Sequence, residues 1–164
     1  MTYAGFWIRV VAYIIDAIII SVIMGIVYFV LTAIGIIDFS AVMEVANDPS
    51  VQAGGEPDPA AVMAASQGMM RNMGIVYLVG FLLAWLYEAL LTSSSMQATP
   101  GKMAFGLRVT TADGERIGFG RATGRYFGKI VSGIILYIGF IMIAFTERKQ
   151  GLHDMMASTL VVRA

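Results

Sequence analysis

Apolar positions crowd into three stretches of this chain, with the polar positions gathered between them. The first stretch, 6–37, contains no proline and is interrupted by Arg9, Asp16 and a few small polar residues. The second, 73–92, reads MGIVYLVGFLLAWLYEALLT and holds one acid, Glu88. A helix rises about 1.5 Å per residue, so each stretch is long enough to cross a hydrocarbon core of roughly 30 Å. The third stretch, 120–146, is mixed. Lys129, Ser132 and Gly133 divide it into an amphipathic front half and an apolar back half that is short for a full crossing.

The connecting segments have their own patterns. In the 38–72 loop, GGEPDP breaks regular structure before AAVMAASQGMMRNM resumes a helical pattern. There Asp58 suits an N-cap and Pro59 the first position of a short surface helix. Residues 105–119 predict a β-hairpin, with strands 107–111 and 115–119 around Asp113-Gly114. The terminal run STLVVR, 158–163, reads as a third strand, because two strands alone are marginal in water. If that strand joins the hairpin, the third apolar stretch must return to the side it left. A bent or re-entrant element with an irregular backbone near Ser132-Gly133 does this, and three ordinary crossings are the alternative. The fold class is thus an α-helical membrane protein in one domain, 1–164. It has two transmembrane helices as a hairpin, a bent, re-entrant or third spanning element, and a small cytoplasmic β-hairpin or three-stranded sheet.

Composition agrees with a membrane protein: 58% of the 164 residues are hydrophobic and 13% charged, about half the charge of a soluble domain. With no cysteine there is no disulfide framework and no thiolate chemistry. Net charge is zero, but its distribution is uneven. The 38–72 loop carries Asp38, Glu44, Asp48, Glu56 and Asp58, whereas 92–129 carries Lys102, Arg108, Arg116, Arg121, Arg125 and Lys129. Positive charge favours the inner side, which predicts a cytoplasmic N-terminus, an extracytoplasmic 38–72 loop and a cytoplasmic C-terminus. Arg121, Arg125 and Lys129 recur every fourth residue. They form one helix face that sits on lipid phosphates or turns inward to pair with acids.

Asp16 is the residue that most needs an explanation. A lone ionised carboxylate in hydrocarbon costs at least about 2.5 to 3.5 kcal/mol, so it must be protonated, paired or placed in a wet cavity. Arg9 lies seven residues away, about 10 Å along a helix, and is expected to snorkel toward headgroups rather than reach it. Glu88 falls at a comparable depth, and two such carboxylates would hold a proton or attract a cation. Alternatively Arg125, Lys129, Lys102 or Arg108 neutralises Asp16, which then fixes helix packing. His153-Asp154 follows the third element, where Asp154 suits a helix cap and one histidine is a weak basis for a metal site. No catalytic set and no metal-ligand spacing stands out. TPGK at 99–102 lacks the other residues of a phosphate loop. The expectation is a protein that is no enzyme, with no cofactor, no metal and no nucleic-acid partner.

RVVAYIID in the first stretch, TPGKMAFGLRV before the hairpin and LHDMMASTLVV at the end together resemble the RDD family of small bacterial membrane proteins, named for one arginine and two aspartates. Position by position these are Arg9, Asp16 and Asp154. Members often carry Gly before the last aspartate and Ala-Gly-Thr after it, where this chain has His153 and Ala157-Ser158-Thr159. The resemblance implies a multi-pass protein of the bacterial cytoplasmic (inner) membrane, of a kind suspected of moving ions or small solutes. Two readings follow. In the first, the chain transports cations, protons or a small solute. Asp16 is then the buried binding carboxylate, Glu88 assists, Arg9 and Asp154 form a gate, and Arg125, Lys129, Lys102 and His153 are supporting charges. So small a chain can hardly enclose a pathway, which predicts a homo-oligomer, with a dimer favoured. In the second, it is a non-transporting scaffold or accessory subunit whose charge cluster is structural. In both, the lipid bilayer is a partner.

Overall fold

The first apolar stretch forms one helix, α1 (Phe6–Ala33), in a computed structural model that describes residues 2–135 and 138–163. Only Ala12 and Asp16 of α1 are buried, while Trp7, Tyr13, Ile18, Val22, Ile26 and Phe29 are exposed. A helix that is apolar on all sides and shows those sides to its surroundings is built for lipid. Its C-terminus closes on Gly35, whose φ of +76° lets the Ile36 N–H reach the Leu31 carbonyl oxygen at 2.9 Å.

Two short helices, α2 (Ser40–Asn47) and α3 (Pro49–Gln52), follow. Asp38 and Asp48 each accept a hydrogen bond from the backbone N–H two residues on, Ser40 and Ser50, at 2.8 Å. Next comes α4 (Pro59–Ser93), 35 residues without a break. The helical pattern after GGEPDP is therefore the start of the second span and not a separate surface helix. At roughly 52 Å this helix exceeds the hydrocarbon thickness. Among the described residues, α1 and α4 are the two single helices long and apolar enough to cross a membrane.

The remainder is shorter pieces: α5 (Pro100–Met103), β1 (Leu107–Thr111), α6 (Phe119–Ile134), α7 (Ile138–Phe145), α8 (Leu152–Met156) and β2 (Thr159–Arg163). The axes of α6 and α7 differ by 102°, so the third stretch is a bent pair, either a broken span or a re-entrant loop. Ser132 and Gly133, where the irregularity was expected, lie inside α6.

β1 and β2 pair antiparallel from Leu107↔Arg163 to Thr111↔Thr159, so the C-terminal run is a strand that joins the sheet, with 107–111 as its partner. The expected return strand 115–119 is reduced to one bridge, Thr110↔Arg116, because α6 already begins at Phe119. The other edge of the sheet, the free side of β2, is covered by the N-terminal residues. Tyr3 bridges Val162, the Ala4 N–H donates to Val161 O at 2.9 Å, and the Arg163 N–H donates to Thr2 O at 2.9 Å.

The chain divides into two compact units, 1–21 with 83–164 and 22–82. In the second, the buried Asn72 side chain donates to Asp38 O at 2.7 Å. In the first, the core gathers Ala4, Ala12, Ala89 and Ala122 against Leu107, Val109, Ile117 and Val161. Four alanines there let helix and strand backbones approach closely, the packing that small residues permit in membrane bundles. All the charged residues discussed below belong to this unit.

Candidate functional site

Asp16 sits nearly three turns into α1 and is 7% exposed. Its Oδ1 accepts from the Tyr87 hydroxyl and from the Gly101 N–H, both at 2.8 Å, and its Oδ2 accepts from the Thr99 hydroxyl at 2.5 Å. Three segments, α1, α4 and the turn into α5, thus meet on one carboxylate. Gly101 permits the approach. A Cβ there would run into the Ala12 carbonyl oxygen and the Asp16 carboxylate. TPGK, which fails as a phosphate loop, instead wraps a carboxylate of its own chain.

No cation is among these hydrogen-bond partners. The basic residues go to the other two acids. Glu88 Oε1 lies 3.2 Å from Arg125 Nη1 and 3.5 Å from Lys102 Nζ, and it also pairs with Lys129 Nζ. Asp154 is wholly buried, with Oδ2 at 2.5 Å from Arg9 Nη1 and Oδ1 at 2.8 Å from Arg125 Nε. Arg125 therefore bridges the two acids. Arg9 turns inward and does not snorkel: each of its three nitrogens has an acceptor within the protein, Nη1 on Asp154, Nε on Ala4 O at 3.0 Å and Nη2 on Lys149 O at 2.5 Å. Of the α6 cations, Arg125 and Lys129 turn inward while Arg121 stays exposed.

Asp154 also accepts from the Gly151 N–H at 3.2 Å, as an acid in the first turn of α8 does when it reaches back to the cap. The turn packs tightly on α6. A Cβ at Gly128 would stand 3.1 Å from His153 Cα. His153 Nε2 is 3.5 Å from Asp154 Oδ1, and its Nδ1 is 3.5 Å from Ser132 Oγ. The row Ser132, His153, Asp154 has the residue types of a hydrolytic triad. Ser132, however, is fully buried, and its hydroxyl donates to Gly128 O at 2.8 Å.

Burial and neighbouring charge set the protonation of the groups outside the long helices. Burial alone would raise Asp154, but Arg125, His153 and Arg9 outweigh it and hold the carboxyl well below the usual range. Burial, with Arg125 and Lys129 nearby, lowers His153 to about 3, so the ring is neutral near pH 7. Lys102 falls to about 8, chiefly through burial, with Lys129 and Arg125 adding to the effect while Glu88 and Asp16 oppose it.

All eight residues singled out from the sequence lie in one unit, but in two arrangements. Arg9, Glu88, Lys102, Arg125, Lys129, His153 and Asp154 form one connected network. Asp16 has a separate set of partners and shares no hydrogen bond or ion pair with Glu88. Sequence reasoning missed Tyr87, Thr99 and Gly101 as those partners. TPGK was the one available signal, since a Thr, a Pro and a Gly in a row is an unusual way to leave a span.

This is a small helical membrane protein in which an arginine near the N-terminus and an aspartate near the C-terminus close a buried ion network, with a second aspartate held beside it by neutral donors. The chain belongs to the RDD family, whose model matches residues 3–158. The uncharacterized protein YxaI of Bacillus subtilis (strain 168) is 41% identical over 163 residues, covering 97% of this chain and 96% of the relative. The uncharacterized membrane protein YteJ of the same organism is 30% identical over 166 residues, covering 98% and 80%. No solved structure matches the chain.

Proposed function

We propose that this chain is a non-catalytic membrane module, a scaffold or accessory subunit, whose ion network locks the ends of two apolar helices to the strand-bearing segment. One observation carries the reading: every acid in the cluster is already engaged. Glu88 and Asp154 are matched to four cations, and Asp16 is matched to three donors from residues 87–101. Such a network spans α1, α4, α5, α6 and α8. Cutting it would cost stability before it changed any flux.

A second reading, proton-linked transport through Asp16, is favoured by one feature. Two of the three Asp16 partners are hydroxyls, and a hydroxyl can turn from donor to acceptor when a carboxyl gains a proton. That reading needs a second copy of the chain to enclose a path, so a homodimer belongs to it.

Asp16→Asn separates the two. The structural reading expects the variant to melt lower by about 1 to 3 kcal/mol at every pH, since the amide keeps one acceptor oxygen and sets an NH2 against a donor. The transport reading expects a proton- or cation-dependent rise in the melting midpoint in the native chain alone, followed by flux in proteoliposomes that the variant abolishes.

The orientation is part of the proposal: an inner-membrane protein with both termini cytoplasmic and 38–72 outside, supported by the basic 92–129 segment and the strand pairing at the C-terminus. The native chain has no cysteine. Ala53→Cys should therefore react with an impermeant maleimide from outside, and Arg163→Cys should not. Labelling of Arg163→Cys in intact cells would overturn this orientation.

A further inference from the structure

The ion network is not balanced. Among the described residues, Arg9, Lys102, Arg125 and Lys129 meet only two carboxylates, Glu88 and Asp154, and His153 is neutral. Even counting Asp16, which bonds to neutral donors, one positive charge is left over. A buried excess of this kind is costly in a low dielectric and calls for an anion.

The excess can be placed. Arg9 has each of its donor groups on an acceptor, and Arg125 reaches both acids. Lys102 and Lys129 differ. They share a single oxygen, Glu88 Oε1, although each ammonium carries three N–H donors. Their side chains are also the most exposed of the four cations, 12% and 19% against 10% for Arg9 and 3% for Arg125. Glu88 lies five residues before the end of α4 at Ser93, roughly 7.5 Å along the axis. That places the lysine pair at the rim of an apolar helix, where a bilayer presents its phosphates.

We propose that Lys102 and Lys129, on either side of Glu88, bind a phosphate-class anion, taken from the phosphodiester of an anionic lipid headgroup or from free phosphate. A tetrahedral oxyanion offers several acceptors to two ammonium groups that share one, and its charge offsets the excess of the network. The lowering of Lys102 to about 8 agrees, because burial, with Lys129 and Arg125 adding to it, disfavours the charge that an anion would stabilise. Asp16 takes no part, so the inference stands or falls separately from the choice between lock and transporter.

The test uses the full chain in a neutral detergent. Melting midpoints are followed against inorganic phosphate, a short-chain phosphatidylglycerol, a short-chain phosphatidylcholine and chloride at matched ionic strength. A saturable rise with phosphatidylglycerol alone identifies the lipid headgroup as the source. A rise with phosphate as well identifies a free-anion site. In either case Lys129→Met and Lys102→Met should each weaken the apparent affinity by about tenfold or more, a loss of about 1.4 kcal/mol. Arg121→Met, which removes an exposed cation from the same helix, should leave it unchanged. Each lysine variant keeps two cations on Glu88 and is expected to fold, which its melting curve without added anion checks. No saturable shift with either anion, equal shifts with chloride, or native affinity in both lysine variants would overturn the proposal.

Discussion

Asp154→Asn is expected to destabilise the folded chain by about 3 to 5 kcal/mol, the loss typical of breaking a buried ion pair from one side. The substitution keeps the shape of the side chain and removes its charge. Arg9 and Arg125 would then face each other across a neutral amide, on opposite sides of a residue with no exposure. Gly151 would also lose the charged acceptor that closes the first turn of α8. Unfolding in mixed micelles is a suitable readout. Trp85 is a natural probe, because its indole N–H donates to the Thr123 hydroxyl at 3.2 Å within the same unit.

The pH profile should carry the same signature. Asp154 is held below its ordinary value of 3.8, so its contribution is complete above that value and fades as pH falls below it. His153 is lowered to about 3 from 6.5, so the unfolded chain takes up that proton first, and stability begins to fall as pH drops through 6.5. The native chain should thus lose stability steadily from about pH 6.5 downward. Asp154→Asn should lack the part below about pH 4. A variant within 1 kcal/mol of the native chain would show that the network contributes little to folding.

Gly101→Ala is expected to be nearly as damaging, about 3 kcal/mol, the upper end of what overpacking costs. The added methyl meets the Ala12 carbonyl oxygen and the Asp16 carboxylate. Neither can swing aside as a flexible side chain would. One is helix backbone, and the other is fixed by Tyr87 and Thr99. Relief requires α1 and the turn into α5 to separate, which breaks the Gly101 N–H bond to Asp16. Gly124→Ala on α6 is the control. Nothing lies within 4 Å of a Cβ there, so the change should be neutral or stabilising by about 0.5 to 1 kcal/mol. Equal behaviour of the two variants would mean that the close approach at Gly101 is not required.

Both predictions rest on residues that were only half legible in the sequence. Arg9, Asp16 and Asp154 stand out because an ionised group is conspicuous against apolar neighbours, and Gly101 is visible only as part of TPGK. What each one touches was not readable. Arg9 and Asp154 are 145 positions apart, and Asp16 and Gly101 are 85 apart. Such contacts depend on how the intervening elements pack, and local pattern does not encode that. The α6 cations make the same point. A stripe at every fourth residue looks identical whether it faces lipid phosphate or buried acid, and here Arg121 does not follow Arg125 and Lys129.

The spans, the existence of a bent third element and the strand character of the 107–111 and C-terminal runs were set by local chemistry. A run of apolar side chains has one low-energy environment wherever it occurs, and a β-branched run needs a partner for its backbone. Tertiary packing decided the rest. The N-terminal residues lie along the outer edge of β2, while the return segment touches the opposite edge of β1 at the single bridge Thr110↔Arg116. Asp16 met hydroxyls and a backbone N–H while the cations went to Glu88 and Asp154. A buried carboxylate must find donors, but several sets of donors satisfy that need equally well, and only the three-dimensional arrangement chooses among them.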